Sequence, residues 1–181
     1  SAISTGWNHH FGHDKIGNSD FLCQNAINYK YFEVEPQKLN DQIISSSKIR
    51  NLLSKGEIKP ANKMLGYRFS ISGKVTEGNK IGRTIGFKTA NIEYPNELID
   101  LPFGVYDVSI DKYKAIANFG TRPTLNGAKP ILEVHILDFN KDIYGENITV
   151  EFNRMLRTEK KFTSLEDLKK QIKSDIETLF N

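Results

Sequence analysis

The chain has 181 residues, about one domain and a fraction at roughly 150 residues per domain, and its 38% hydrophobic and 26% charged residues exclude a disordered or collagen-like chain. Lys and Arg total 25 against 22 Asp and Glu, a net charge of +3 that suits anionic small molecules but is too weak to argue for a nucleic-acid partner. No apolar run approaches the ~18 residues of a transmembrane helix (Glu133 and His135 break the run at 131–137), so no membrane partner is expected.

The opening SAISTGWNHHFGHD lacks the basic start and apolar stretch of an export signal. The single cysteine, Cys23, cannot form an internal disulfide, and a reducing cytoplasm is the expected location. Cys23 lies in the apolar run FLCQNAI and reads as a buried, inert thiol. After a loop rich in Gly and His, DFLCQNAINYK (20–30) predicts a short helix, and YFEVEP (31–36) a strand stopped by Pro36. SSSKIRNLLSKGEIKPANKMLG (45–66) predicts two short helices, the first N-capped by serine and ended by Gly56, the second ended by Gly66. A parallel α/β domain needs more strands than this, so residues 1–66 read as the tail end of one.

From Tyr67 the pattern changes. YRFSISGKV (67–75), GVYDVSI (104–110) and ILEVHILDF (131–139) alternate with period two, and KYKAIANFG (112–120) and NITVEFNRML (147–156) do so less strictly. Five or six short strands in this span predict an antiparallel barrel, mainly β, with a tight hairpin at Asp111–Lys112. NFGTRPTLNG (118–127) is rich in turn formers and reads as a loop. SLEDLKKQIKSDIETLF (164–180) predicts a helix with Leu165, Leu168, Ile172, Ile176 and Leu179 facing the barrel, and Thr163 with Glu166 as its capping box.

The most informative stretch is GKVTEGNKIGRTIGFKTAN (73–91), where Gly78, Gly82 and Gly86 interleave with Lys80 and Arg83. Glycines allow close backbone approach to phosphate oxygens, and cations hold the charge; the other reading is a plain hairpin loop. It is not a Walker loop, because Asn79 intrudes before Lys80 and Ile81 replaces the required Ser or Thr. Thr89 and Asn91, two apart on an extended segment, point to one side and offer hard oxygens for Mg²⁺, or else form a polar turn. Glu133 sits inside an otherwise apolar strand and shares a face with His135 and Leu137. It is either a positioned proton acceptor or a residue on a solvated face. His135 reads as a packed or surface histidine.

Taken together, GKVTEGNKIGRTIGFKTAN, NFGTRPTLNG, LEVHILDFNKDIYGENITVEF and LRTEKKFTSLEDLKKQI resemble, in order, the riboflavin kinase module of bacterial bifunctional FAD synthetases. The resemblance implies a six-stranded antiparallel Greek-key barrel with a C-terminal helix over 67–181, preceded in 1–66 by an α/β remnant of a nucleotidyltransferase domain. It implies riboflavin, FMN, ATP and ADP as partners and Mg²⁺ with ATP. Thr89 and Asn91 become Mg²⁺–ATP ligands, residues 78–86 the phosphate loop, and Glu133 the base for the ribityl hydroxyl. Asn118, Thr124 and Arg157 fall on the flavin side, in a loop. Lys88 stands where the family usually has Pro. GWNHHFG and ISSSKIR resemble pieces of the same enzymes' FMN adenylyltransferase domain, which would make Asn8, Ser46, Ser47 and Arg50 half a site. The early His-x-Gly-His motif of that domain is not in the sequence. Kinase activity is therefore expected of this chain and adenylyltransferase activity is not; the alternative is a catalytically silent flavin- or nucleotide-binding barrel.

Overall fold

Alternating Val, Ile and Phe in short runs, punctuated by Gly and Asn, favour pleated strands over helices, and strands dominate the fold. The computed structural model describes residues 1–76, 86–94, 101–124 and 127–180, in two compact units, Ser1–Ser46 and Ser47–Asn181.

In the first unit β1 (Ala2–Gly6) pairs in parallel with β2 (Lys30–Val34). The crossover that a parallel pair requires carries α1 (Ser19–Gln24). Asn18 caps α1 by accepting the Phe21 N–H at 2.9 Å. The helix is shorter than the predicted 20–30, because Asn25 donates its side-chain amide back to the Phe21 carbonyl at 2.8 Å and closes the end. α1 buries none of its residues, and Cys23 is exposed rather than buried: a single short turn of apolar sequence has only a narrow face to hide. β3 (Lys38–Leu39) and β4 (Gln42–Ile43) form a minimal hairpin whose two turn residues, Asn40 and Asp41, both have positive φ.

α2 (Ser46–Ser54) and α3 (Ile58–Leu65) end as the sequence predicts, with Gly56 at φ 74° and Gly66 at φ 78°. Leu53, Ile58 and Ala61 join the same buried cluster as Tyr106 and Phe152 of the barrel. Asn62 ties α3 to it, donating to the Phe152 carbonyl and accepting the Phe69 N–H, both at 2.8 Å. The helices over 47–65 thus lie in the same compact unit as the barrel.

Six strands close the barrel: β5 (Ser70–Thr76), β6 (Ala90–Glu93), β7 (Gly104–Ile110), β8 (Tyr113–Thr124), β9 (Gly127–Ile136) and β10 (Asn147–Thr158). Around the barrel the order is β10-β5-β6-β9-β8-β7, every pair antiparallel. The meander β7-β8-β9 returns beside β6, which is the Greek-key arrangement. Ile71, Ile92, Val108, Ala117, Leu132 and Val150 fill the interior. Tyr106 joins them and donates its phenol to the Pro102 carbonyl; burial, with Tyr94 adding, pushes its pKa well above the ordinary tyrosine value.

The predicted loop at 118–127 is instead mostly strand. β8 runs on to Thr124 and pairs with β9 from Ala115↔Ile136 out to Thr124↔Gly127. Beyond Phe119 and Ile131 these two strands pair with each other, past the ends of β7 and β6. Ladder hydrogen bonds to β9 override the turn preference of this sequence, because strand propensity depends on the partner.

β10 carries register shifts at Phe152/Arg154 and Met155/Arg157. α4 (Leu165–Glu177) lies over the outer face there, packing Ile172, Ile176 and the following Leu179 on Val105, Ile116 and Leu137. Leu165, at the helix start, is 53% exposed and takes no part. The cap is one residue later than predicted: Ser164, extended at φ −141°, accepts the Asp167 N–H at 3.1 Å and donates to its carboxylate at 2.8 Å. At the far end, Lys114 donates to the Leu179 carbonyl at 2.8 Å and Arg154 to that of Thr178. Cations at a helix C-terminus are favoured by its exposed carbonyls.

Candidate active site

Strand register assembles the site. Asn91 of β6 stands opposite Glu133 of β9, and Glu133 opposite Asn118 of β8. The row continues to Val105 of β7 and Arg157 of β10. Directly paired residues point to the same side of a sheet. Leu132 and Val134 point into the core, so this row points outward. Four predicted site residues, distant in sequence, thus share one transverse line across five strands.

Their surroundings differ. Asn91 is only 3% exposed although it faces outward. Glu133 and Asn118 are half-buried. Arg157 turns its guanidinium to α4, where both Asp175 oxygens accept from it at 2.9–3.1 Å and Gln171 donates to the same carboxylate at 2.9 Å. The side chains of this ion pair are 15% and 6% exposed, so Arg157 clasps the helix to the row rather than pointing freely from a loop. Asn118 too lies within a strand, not a loop. Thr124 closes the β8–β9 ladder away from this row, and its side chain lies outside the described residues.

Gly120, two residues beyond Asn118 on the same face, makes room for a neighbour that the sequence reading does not select. A methyl there would meet the Glu159 carboxylate at 3.0 Å and the Asn118 amide at 3.8 Å. Nothing in the sequence pattern marks Glu159; a contact across strands does.

Beside the Asn91 end of the row is a pocket of about 210 Å³. Val75, Ala90, Val134 and Ile136 form its barrel wall, Thr89 and Lys88 its edge, and the segment Phe139–Tyr144 its far side. Asp142 holds that segment in shape by accepting the Tyr144 N–H at 3.0 Å. Thr89 is half-buried. His135, on the same face as Glu133, sets its Nδ1 2.7 Å from the Lys88 carbonyl and its ring edge-on to Phe87 at 5.3 Å.

Of the glycine loop, Gly86 is described, with φ 91°, a conformation suited to glycine. Gly78, Lys80, Gly82 and Arg83 lie outside the described residues. Asn8 is exposed in the turn after β1, in the first unit together with Ser46. Ser47 and Arg50 are exposed on α2 in the second.

The barrel and the segments around it match one protein family, that of the flavokinases. The riboflavin kinase model, described as Flavokinase, matches residues 65–181. The bifunctional riboflavin kinase/FMN adenylyltransferase of Haemophilus influenzae is 41% identical, over 97% of this chain and 59% of its own length. That of Pseudomonas fluorescens is 39% identical, over 96% and 58%. A crystal structure titled macrolide-efflux protein from Streptococcus pneumoniae aligns with a TM-score of 0.85 at 37% identity, over 97% of this chain and 59% of that one. The chain belongs to the riboflavin kinase family. It spans about three fifths of the length of these relatives.

Proposed function

We propose that the barrel transfers the γ-phosphoryl group of ATP to the ribityl 5′-hydroxyl of riboflavin, giving FMN and ADP. The observation that carries this is the placement of Glu133 between Asn91 and Asn118 on the outward row, beside the Thr89 pocket. In the transfer the hydroxyl oxygen bonds to phosphorus, the bond from phosphorus to the ADP oxygen breaks, and Glu133 takes the hydroxyl proton. Asn118, on the far side of Glu133 from the pocket, orients the flavin ribityl chain, and the Arg157–Asp175 pair holds α4 at the flavin end.

The pocket suits a nucleotide. Val75, Ile136 and Phe139 offer an apolar wall for a base, and Lys88 and Thr89 face the phosphates. Thr89 and Asn91 are hard oxygen donors that fit Mg²⁺. Among the described residues no cluster of three or more His, Cys, Asp and Glu forms a metal cage. When bound, Mg²⁺ supplies charge neutralisation at those phosphates. Positioning and charge account for most of the catalysis in such a transfer.

We assign residues 67–181 to the kinase and 1–66 to part of a nucleotidyltransferase domain, and place the protein in the cytoplasm, without nucleic-acid or membrane partners. Among the described residues no helix is long and apolar enough to cross a membrane. The pneumococcal title names efflux, but the family match over 65–181 supports the kinase reading.

The test incubates the chain with riboflavin, Mg²⁺ and ATP and separates the flavins. FMN is the expected product. Folded protein that binds riboflavin but leaves it unphosphorylated would establish the silent barrel instead. Given FMN and ATP, these 181 residues are expected to make no FAD, because the first unit offers one two-stranded parallel sheet among its described residues.

A further inference from the structure

His135 has the least expected position in the site. It occupies the outward face of β9, two residues from Glu133. The β6–β9 ladder ends at Ala90↔Val134; carried one residue further, its register sets Thr89 opposite His135. Where the described ladder stops, the His135 side chain takes over, reaching the Lys88 carbonyl at 2.7 Å. A carbonyl only accepts, so Nδ1 carries the proton in this contact. Phe87 meets the ring edge-on, nearly perpendicular at 89°. The ring is therefore held by Phe87 and Lys88, the two residues leading into Thr89.

A histidine that merely filled space would be buried among apolar side chains. This one is half-buried and uses its ring N–H on the peptide adjoining Thr89. Lys88 makes such a tie more necessary. Unlike a proline, which has its φ fixed by the ring, lysine leaves the backbone free to turn.

We propose that His135 is a positioning residue for the nucleotide: by holding the Lys88 carbonyl it fixes the Thr89 hydroxyl at the edge of the pocket. The inference rests on the reading of Thr89 as a nucleotide-side ligand. It assigns His135 no contact with substrate and no part in proton transfer.

The test uses the whole chain with His135→Ala, His135→Asn and His135→Gln, each checked by thermal unfolding. Mg–ADP affinity is measured by calorimetry, and KM for MgATP and for riboflavin from FMN formation. An asparagine amide nitrogen sits as far along its side chain as Nδ1, whereas that of glutamine reaches to the place of Nε2. Ala and Gln should weaken Mg–ADP binding about tenfold, the equivalent of one well-placed hydrogen bond, and Asn should recover most of it. KM for MgATP should follow the same order, with KM for riboflavin moving less than about twofold. Unchanged Mg–ADP affinity in the Ala variant, or Asn no better than Gln, overturns the proposal. If the Ala variant does not fold, the contrast between Asn and Gln decides. The expected order of Mg–ADP affinities in a chain that forms no FMN would keep the positioning role and remove the kinase reading. FMN formation that ignores every change at His135 would do the reverse.

Discussion

Glu133 stands directly opposite Asn91 across β9 and β6, and the asparagine is almost fully buried while both point away from the barrel core. The pairing sets an amide withdrawn from solvent next to a half-buried carboxylate on the outer face of the barrel. It concentrates oxygen-bearing groups at the junction between the pocket and the rest of the row.

Glu133→Gln retains the size and hydrogen-bonding reach of the side chain and removes its basicity. FMN formation should fall by at least about a hundredfold in kcat, the usual lower range for loss of a positioned base. Thermal unfolding and Mg–ADP binding should be unchanged. Full turnover by the variant would exclude Glu133 as the base.

The two ends of the row should separate kinetically. Thr89→Val keeps the shape of the side chain and loses the hydroxyl, so it should raise KM for MgATP roughly five- to tenfold. Asn118→Ala should raise KM for riboflavin by a similar factor and leave that for MgATP unchanged. Steady-state kinetics with each substrate varied in turn checks both, and a swapped pattern would reverse the assignment of the two ends.

Arg157 and Asp175 form a bidentate, largely buried ion pair between β10 and α4. Removing one partner leaves a buried charge, so Arg157→Met or Asp175→Leu alone should cost about 3–5 kcal/mol in urea unfolding. The double variant should recover most of that loss, because two apolar groups of similar volume tolerate the site. Additive losses would show that the pair is not coupled.

Gly104 and Gly120 look alike in sequence and differ in space. A methyl on Gly104 would lie 2.3 Å from the Arg157 carbonyl oxygen, a backbone atom. Gly104→Ala should cost at least about 1–3 kcal/mol and shift the end of β10 that carries Arg157. On Gly120 the methyl meets the end of the Glu159 side chain, which can move aside. Gly120→Ala should change stability by less than about 0.5 kcal/mol. Chemical denaturation of both variants gives the comparison.

Tyr106 makes stability depend on alkaline pH. Its folded pKa is raised by burial, so the folded chain keeps the phenol proton where the unfolded chain loses it. The contribution is fully present below the unfolded value of about 10 and is lost as pH rises beyond it. Unfolding free energy should fall above that pH, and less steeply in Tyr106→Phe. Equal slopes in the two proteins would mean the phenol does not govern the effect.

Five of the six barrel strands, the helix stops at Gly56 and Gly66, the Asp111–Lys112 hairpin and the shared face of Glu133 and His135 were legible in the sequence. Each depends on period two or on the φ of one residue, which are local properties. The strand at 118–124, the exposure of Cys23 and the Ser164 cap were not, because each is settled by which partner a segment meets or by one residue's neighbours.

The sequence by itself determined that Glu133 shares a strand face with His135 and Leu137, and that Thr89 and Asn91 share a side. Only the tertiary structure decided that Asn91, Glu133, Asn118 and Arg157 form one row, that Arg157 is spent on Asp175, and that His135 holds the peptide before Thr89. Alternation along a strand fixes the face of each residue. The residue across from it follows from register between segments far apart in the chain, which is set when the whole barrel closes.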